Sequence, residues 1–267
     1  MFAYGFLIHA LMGALLSSIS LAAFSPFVTL RRISYMGEAL SHIGFAGIAL
    51  ALLFGWNMLL TTLLFVVAVS LAITWLAKSR KLEEANTITI FLSVSMALGI
   101  IFISLKKGYT FDLASYLFGN VLLISTTDLW MLGGLCLLNL LMIGTLFKEL
   151  FYLSYNADMA RFYRMPVTLV NNIFMILMAA NIVVNLRAAG IILVSAQLIL
   201  PAATAFNIVT KLSKAVILSI LLAVCAAGGG FAMSWWLNLP TGATIVVLEF
   251  VLYLLSTLWR SIFKAKA

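Results

Sequence analysis

Glu38 and His42 stand four residues apart in the segment YMGEALSHIGFA, residues 35–46. On a helix that spacing puts both side chains on one face, roughly 6 Å apart at Cβ. A carboxylate and an imidazole so placed can hold one divalent cation between them. The same two groups can also form an acid–histidine hydrogen bond that staples two helices. The pair alone leaves both readings open. Ionisable side chains are costly inside a membrane, which makes them functional candidates wherever they occur there.

The elements that position this pair follow from composition. Apolar residues make up 64% of the 267-residue chain and charged residues 9%. An ordinary soluble domain carries about 25% charged residues, so this chain has too little polar surface to cover a water-soluble core. It is expected to be an all-α integral membrane protein, a polytopic helical bundle. The first apolar segment is too long for the core of a signal peptide and has no basic lead-in, so it is read as a helix of the mature chain. Cys136 and Cys225 fall inside apolar runs, which gives neither a disulfide framework nor a zinc-finger spacing. The net charge of +8 fits basic loops on one membrane face and calls for no nucleic acid.

Hydropathy and helix breakers divide the chain into nine spans: 4–28, 38–55, 58–77, 87–105, 128–147, 167–185, 188–209, 215–237 and 242–259. Each is near the ~20 residues a helix needs to cross a bilayer. A start of the second span nearer Ile33 would set Glu38 deeper. With the N-terminus outside, thirteen of the sixteen basic residues lie on the inner side and only Lys106, Lys107 and Arg187 lie outside. The positive-inside rule therefore selects N-out, C-in. The apolar interval 111–125 is too short to cross and reads as a short helix or re-entrant piece, with Asp112 as its N-cap.

Several polar residues are candidates for the translocation path: Asp112 in the short 111–125 interval, and Ser195, Gln197 and Glu249 inside the spans. Each has a structural alternative. Ser195 and Gln197 flank a kink at Pro201 and can satisfy carbonyls freed there. Glu249, near the middle of the last span, can bond a neighbouring helix. His9 reads as a hydrogen-bonded structural histidine, and Asn181 and Asn185 as interhelical bonds. Gly228, Gly229 and Gly230 permit close helix packing. The Gly-x-x-x-x-Gly-Lys-Ser/Thr phosphate loop is absent from the sequence, so this chain supplies no ATP site of its own.

The longest inner loop, KELFYLSYNADMARFYRMP at residues 148–166, holds a short helix that Asn156 or Asp158 can cap, with Pro166 opening the next span. Such a helix can lie on lipid headgroups or dock a soluble partner.

The segment LRRISYMGEALSHIGFAGIAL, residues 30–50, resembles the permease subunits of ABC importers for zinc, manganese and iron. That family shows an Arg-Arg-hydrophobic-Ser lead-in, then Gly-Asp, then Ser- or Ala-His four residues after the acid. DLASYLFGNVLLIS (112–125), GIILVSAQLILPAATA (190–205) and NLPTGATIVVL (238–248) are similar to three further blocks of the family, in the same order. The resemblance implies the ABC importer permease fold, with residues 1–267 as a single transmembrane permease domain. It aligns Glu38 and His42 with the family's acid and histidine, as metal contacts. It places the family's coupling helix in the 148–166 loop, with Asn156, Asp158, Ala160, Arg161 and Met165 as candidate contacts to the ATPase. The implied partners are a second permease copy, cytoplasmic ATP-binding subunits and an extracytoplasmic metal-binding protein. The implied cargo is zinc, with manganese or iron next, and no permanently bound cofactor. Two positions depart from the family: Glu38 stands where Asp is usual, and Arg164 where Gly is common.

Two other classes bear on the same residues. An intramembrane metalloprotease needs a His-Glu-x-x-His site, whereas His9 and His42, 33 positions apart, are the two histidines of the chain; a Gly-x-Ser-x-Gly nucleophile turn is also absent. A self-contained secondary metal transporter or channel would need coupling-ion acids in matching halves, and the sequence has no clear internal repeat.

Overall fold

The computed structural model describes residues 5–80, 84–106 and 124–264, and every regular element among them is helical. Nine described helical stretches are long and apolar enough to cross a membrane. They arise where apolar runs of ~20 residues carry few charges, because a lipid-exposed backbone has to satisfy its hydrogen bonds within its own helix.

In chain order the elements are α1 (Gly5–Leu30), α2 (Tyr35–Phe54), α3 (Met58–Arg80), α4 (Glu84–Leu105), α5 (Thr126–Thr145), α6 (Phe147–Tyr155), α7 (Ala157–Phe162), α8 (Val167–Gln197), α9 (Leu200–Ile208), α10 (Leu212–Leu237) and α11 (Thr241–Lys264). Helices α1 and α2 form the centre. Helix α1 packs on α5, α8 and α10, and α2 packs on α3, α4 and α8. The outer helices α3, α4 and α11 turn long apolar stretches outward, including Leu64, Ile100 and Leu258. That is the pattern expected of lipid-facing helices.

Helix ends explain where sequence and structure diverge. The fifth span starts at Thr126, two residues before the sequence reading, because Ser125 caps it: Asp128 N donates to Ser125 Oγ at 3.2 Å, and Ser125 N donates to the Asp128 carboxylate at 3.1 Å. Helix α2 starts at Tyr35, so Glu38 stands one turn inside the helix and not at its first residue. The sixth and seventh spans run together through α8, broken only at Gly190, whose φ of 76° lies in the left-handed region. The seventh span is itself split: α8 stops at Gln197, and α9 begins at Leu200 with Pro201 in its first turn. Proline fits there because its missing N–H is one of the donors a helix start leaves unused anyway. The inner loop holds two short helices, α6 and α7, in place of one.

The glycine run 228–230 serves packing at its end. A Cβ on Gly230 would fall 2.7 Å from the Ile245 Cα, so only glycine lets α10 approach α11 this closely. Buried amides tie the centre together. Asn139 Nδ2 donates to Ser20 Oγ (2.7 Å), which donates to Asn181 Oδ1 (2.8 Å), and Asn185 Nδ2 donates to the same Asn181 oxygen (2.8 Å). Asn181 thus bonds across helices, from α8 to α1, whereas the bonds of Asn185 return to its own helix.

Candidate metal-translocation site

Helix α2 follows a tight turn at Arg31–Ser34, in which Arg32 adopts a positive φ of 58°. Gly37 lets the helix sit against the end of α8, since a Cβ there would come 2.6 Å from Leu198 Cδ1. One turn on, the Ser41 hydroxyl, a buried polar group, donates to the Gly37 carbonyl at 2.8 Å. Met36, Ala39, Leu40 and Ile43 are buried on the inner side of the same two turns.

What is left over is a single stripe. Tyr35 (70% exposed) and Glu38 are open, and His42 is half-buried. Their spacing of three and four residues is that of one helix face. Past His42 the stripe closes, with Phe45, Ala46 and Ala49 all buried. The acid and the imidazole therefore sit on the one part of the inner half of α2 that this chain does not cover. Glu38 also lies in the first turn of α2, where the helix dipole favours negative charge.

Among the described residues no group of three or more His, Cys, Asp or Glu side chains comes together. Glu38 and His42 offer two donors, and a four- to six-coordinate ion needs more from water, another chain or the delivered cargo's own shell.

The other candidates scatter. Gln197 is fully buried, and its Nε2 donates to Ser18 Oγ at 2.8 Å, across from α8 to α1. Ser195 is half-buried one turn from the end of α8. Ser25, also on α1, accepts from Ala202 N at 3.1 Å, so the serines of α1 meet the broken seventh span at two levels. Glu249 is 3% exposed and packs against Leu200, Pro201, Thr204 and Leu252. The expected bond to a neighbouring helix is not made: neither carboxylate oxygen has a hydrogen-bond partner among the described residues. Nor does it approach Glu38 or His42 to make a cluster. Asp112 lies outside the described residues. His9 is half-buried on α1.

At the inner face, Asn156 caps α7 through its side chain, which accepts from Met159 N at 3.2 Å. Asp158, Ala160 and Arg161 lie on α7, with Ala160 buried and Arg161 exposed. Met165 is half-buried, and its N–H bonds the Ala160 carbonyl at 3.1 Å to fold the chain back beneath the helix. Arg164 takes a positive φ of 55° in that turn, the left-handed conformation that glycine adopts without strain. Sequence reading noted Arg164 only as a departure from a family glycine; the backbone supplies the reason a glycine would suit.

Two contacts were missed because their partners are far apart in the chain. Arg31 donates to the Asn171 side-chain oxygen and lies over the Phe174 ring at 5.0 Å, and Lys106 Nζ donates to the Leu52 carbonyl that ends α2. The capping box at Ser125 and Asp128 was missed as well, although Ser-x-x-Asp carries its signal within four residues.

Comparison with known proteins agrees with this architecture. A family model described as the ABC 3 transport family matches residues 3–260. The manganese transport system membrane protein MntC of Listeria innocua is 34% identical, over 96% of this chain and 91% of that protein. The manganese import system permease protein ScaB of Streptococcus gordonii is 33% identical, over 95% of this chain and 91% of that protein. The solved structure of PsaBC from Streptococcus pneumoniae in complex with Fab superposes with a TM-score of 0.83 at 31% identity, covering 95% of this chain and 91% of the matched one. The chain therefore belongs to the ABC 3 transport family, as a multi-pass permease subunit of metal-importing ABC systems, in which ATP hydrolysis resides in a separate subunit.

Proposed function

We propose that this permease conducts a divalent transition metal, manganese foremost, past Glu38 and His42, in a complex completed by a second copy of the chain. One observation carries the reading: the stripe of Tyr35, Glu38 and His42 is left open on a helix whose first half is otherwise buried. A carboxylate in a span facing lipid would cost a few kcal/mol. A water-filled path between two permease copies removes that cost and supplies the missing donors. Two copies related by a two-fold axis would bring two Glu38 and two His42 toward one line, giving up to four protein ligands. A half-site in each chain also suits transport, since cargo has to be released.

The sequence reading put zinc first, with manganese or iron next. Relatives named for manganese transport and the harder carboxylate donor shift the reading to manganese, with zinc and iron next. An extracytoplasmic metal-binding protein would deliver the ion. On the inner side, the 148–166 loop, through Asn156, Asp158, Ala160, Arg161 and Met165, docks on the ATPase. Ser195 and Gln197 line the path only if the broken seventh span opens; in the conformation described here Gln197 is closed against Ser18.

The test is uptake by the reconstituted complex, with ATPase and binding protein present, for manganese, zinc and iron in turn. Manganese uptake that requires ATP and exceeds the other two supports the proposal. A clear preference for zinc or iron removes the choice of metal, and equal uptake by a Glu38→Gln/His42→Ala double variant removes the site. Cross-linking from Phe162, exposed on α7, should capture the ATPase.

A further inference from the structure

A cleft of about 470 Å³ opens on the basic side of the molecule, between the end of α1, the end of α3, the α6–α7 loop and the start of α8. Four cationic side chains line it: Arg31, Arg32, Lys78 and Arg161, together with Thr168 and Asn171. None of the described lining residues is a carboxylate. Two of the cations are fixed in place. Lys78 Nζ donates to Thr168 Oγ1 at 3.1 Å, and Arg31 is held between Asn171 and the Phe174 ring. Arg32 stands in the left-handed region at φ 58°, a conformation that costs a non-glycine residue about 1 kcal/mol or more.

Like charges gathered in one cleft repel each other, and an anion seated among them reverses the sign of that term. The position of the cleft narrows the class of anion. Lys78 is in the last turn of an apolar span, where hydrocarbon gives way to headgroups. Trp75 (68% exposed), one turn deeper than Lys78, and Leu169 (59% exposed), next to Thr168 in the chain, turn apolar surface outward on α3 and α8, the two spans that rim the cleft. An indole at that depth is typical of a membrane interface. A ligand entering along these rims carries acyl chains outside and negative charge inside. We propose that the cleft binds the phosphate headgroup of an anionic phospholipid of the inner leaflet, and that this lipid braces the turn leading into α2 against α3 and α8. Basic pockets between spans on the cytoplasmic side are well suited to such headgroups. The proposal is independent of the metal carried and of Glu38 and His42.

The experiment uses the full-length chain in nanodiscs of phosphatidylcholine with rising phosphatidylglycerol. Bound phosphatidylglycerol is counted by native mass spectrometry and thermal stability is followed in parallel. Wild type should retain phosphatidylglycerol and gain stability from it, increasingly at low salt. Arg32→Gln/Lys78→Gln should bind it roughly tenfold or more weakly, from about 1 kcal/mol per basic residue near the surface. Lys211→Gln/Lys214→Gln removes the same charge from the start of α10, outside the cleft, and should behave as wild type. If the double variant does not fold, Arg32→Gln alone, at an exposed position, carries the comparison. Equal lipid retention by cleft and control variants overturns the proposal. Equal protection by millimolar inorganic phosphate reassigns the cleft to a soluble anion. Loss of bound lipid when the ATPase subunit is added reassigns it to a protein contact.

Discussion

Arg31 and Asn171 join the turn that launches α2 to the first turns of α8, through a hydrogen bond from the guanidinium to the amide oxygen. The Phe174 ring under the same guanidinium closes the joint. The α6–α7 loop leads directly into α8. Any push delivered to that loop therefore reaches the base of the helix that carries Glu38 and His42.

Arg31→Lys keeps the charge and loses the planar fork and its stacking on Phe174. The expected result is an assembled complex whose ATP hydrolysis continues while metal uptake per ATP falls several-fold. Parallel measurement of both rates in proteoliposomes checks it. Uptake and hydrolysis that fall together would mean the joint only stabilises the fold.

The open stripe on α2 sets the second expectation. His42→Ala and Glu38→Gln should each reduce uptake by tenfold or more while the chain still assembles with its ATPase. The second variant keeps size and removes charge, so it separates ligation from packing. Glu38→Asp should remain active, since it shortens the arm by one methylene and keeps the carboxylate. His9→Ala is the control and should stay near wild type. Wild-type uptake in both His42→Ala and Glu38→Gln would make the pair structural.

Glu249 is buried among Pro201, Thr204 and Leu252 with no described hydrogen-bond partner. Burying a polar group without partners costs about 1–3 kcal/mol. Glu249→Leu should therefore raise the midpoint of thermal unfolding in detergent, and uptake should persist. A loss of transport together with raised stability would instead place Glu249 on the path.

Arg164 holds a positive φ of 55° beneath α7. Arg164→Gly relieves strain of about 1 kcal/mol and should leave coupling intact or improve it. Thermal unfolding and ATP-dependent uptake of the variant measure the two parts separately. A fall in uptake at unchanged stability would show that the guanidinium, and not the turn, serves the interface.

The spans were legible because a bilayer sets a length and forbids charge, and both are visible in a sequence. Their interruptions were less so. Pro201 announced a kink, but the break between α8 and α9 falls at Leu198 and Ile199, ahead of it, since proline opens α9. Arg187 marked the break between the sixth and seventh spans, but the turn itself is carried without a loop by Gly190, inside the seventh span as read from the sequence. Glu38 and His42 were found by spacing, whereas their exposure depends on how α3, α4 and α8 pack around α2. The basic cleft could not be read at all, since Arg31, Lys78, Arg161 and Thr168 meet only in the fold.

The bonded set of Ser20, Asn139, Asn181 and Asn185 limits how the permease can move. Pulling its members apart inside hydrocarbon would leave amide and hydroxyl groups without water or partner, at several kcal/mol for each stranded group. Helices α1 and α5 and the part of α8 before Gly190 are therefore expected to travel as one rigid block through the transport cycle. The sliding is expected at seams with fewer buried bonds, such as that of α10 against α11 at Gly230, where glycine and Ile245 meet in apolar contact. Spin labels on α1 and α8 should keep one distance with and without ATP, while a pair spanning α10 and α11 should report two.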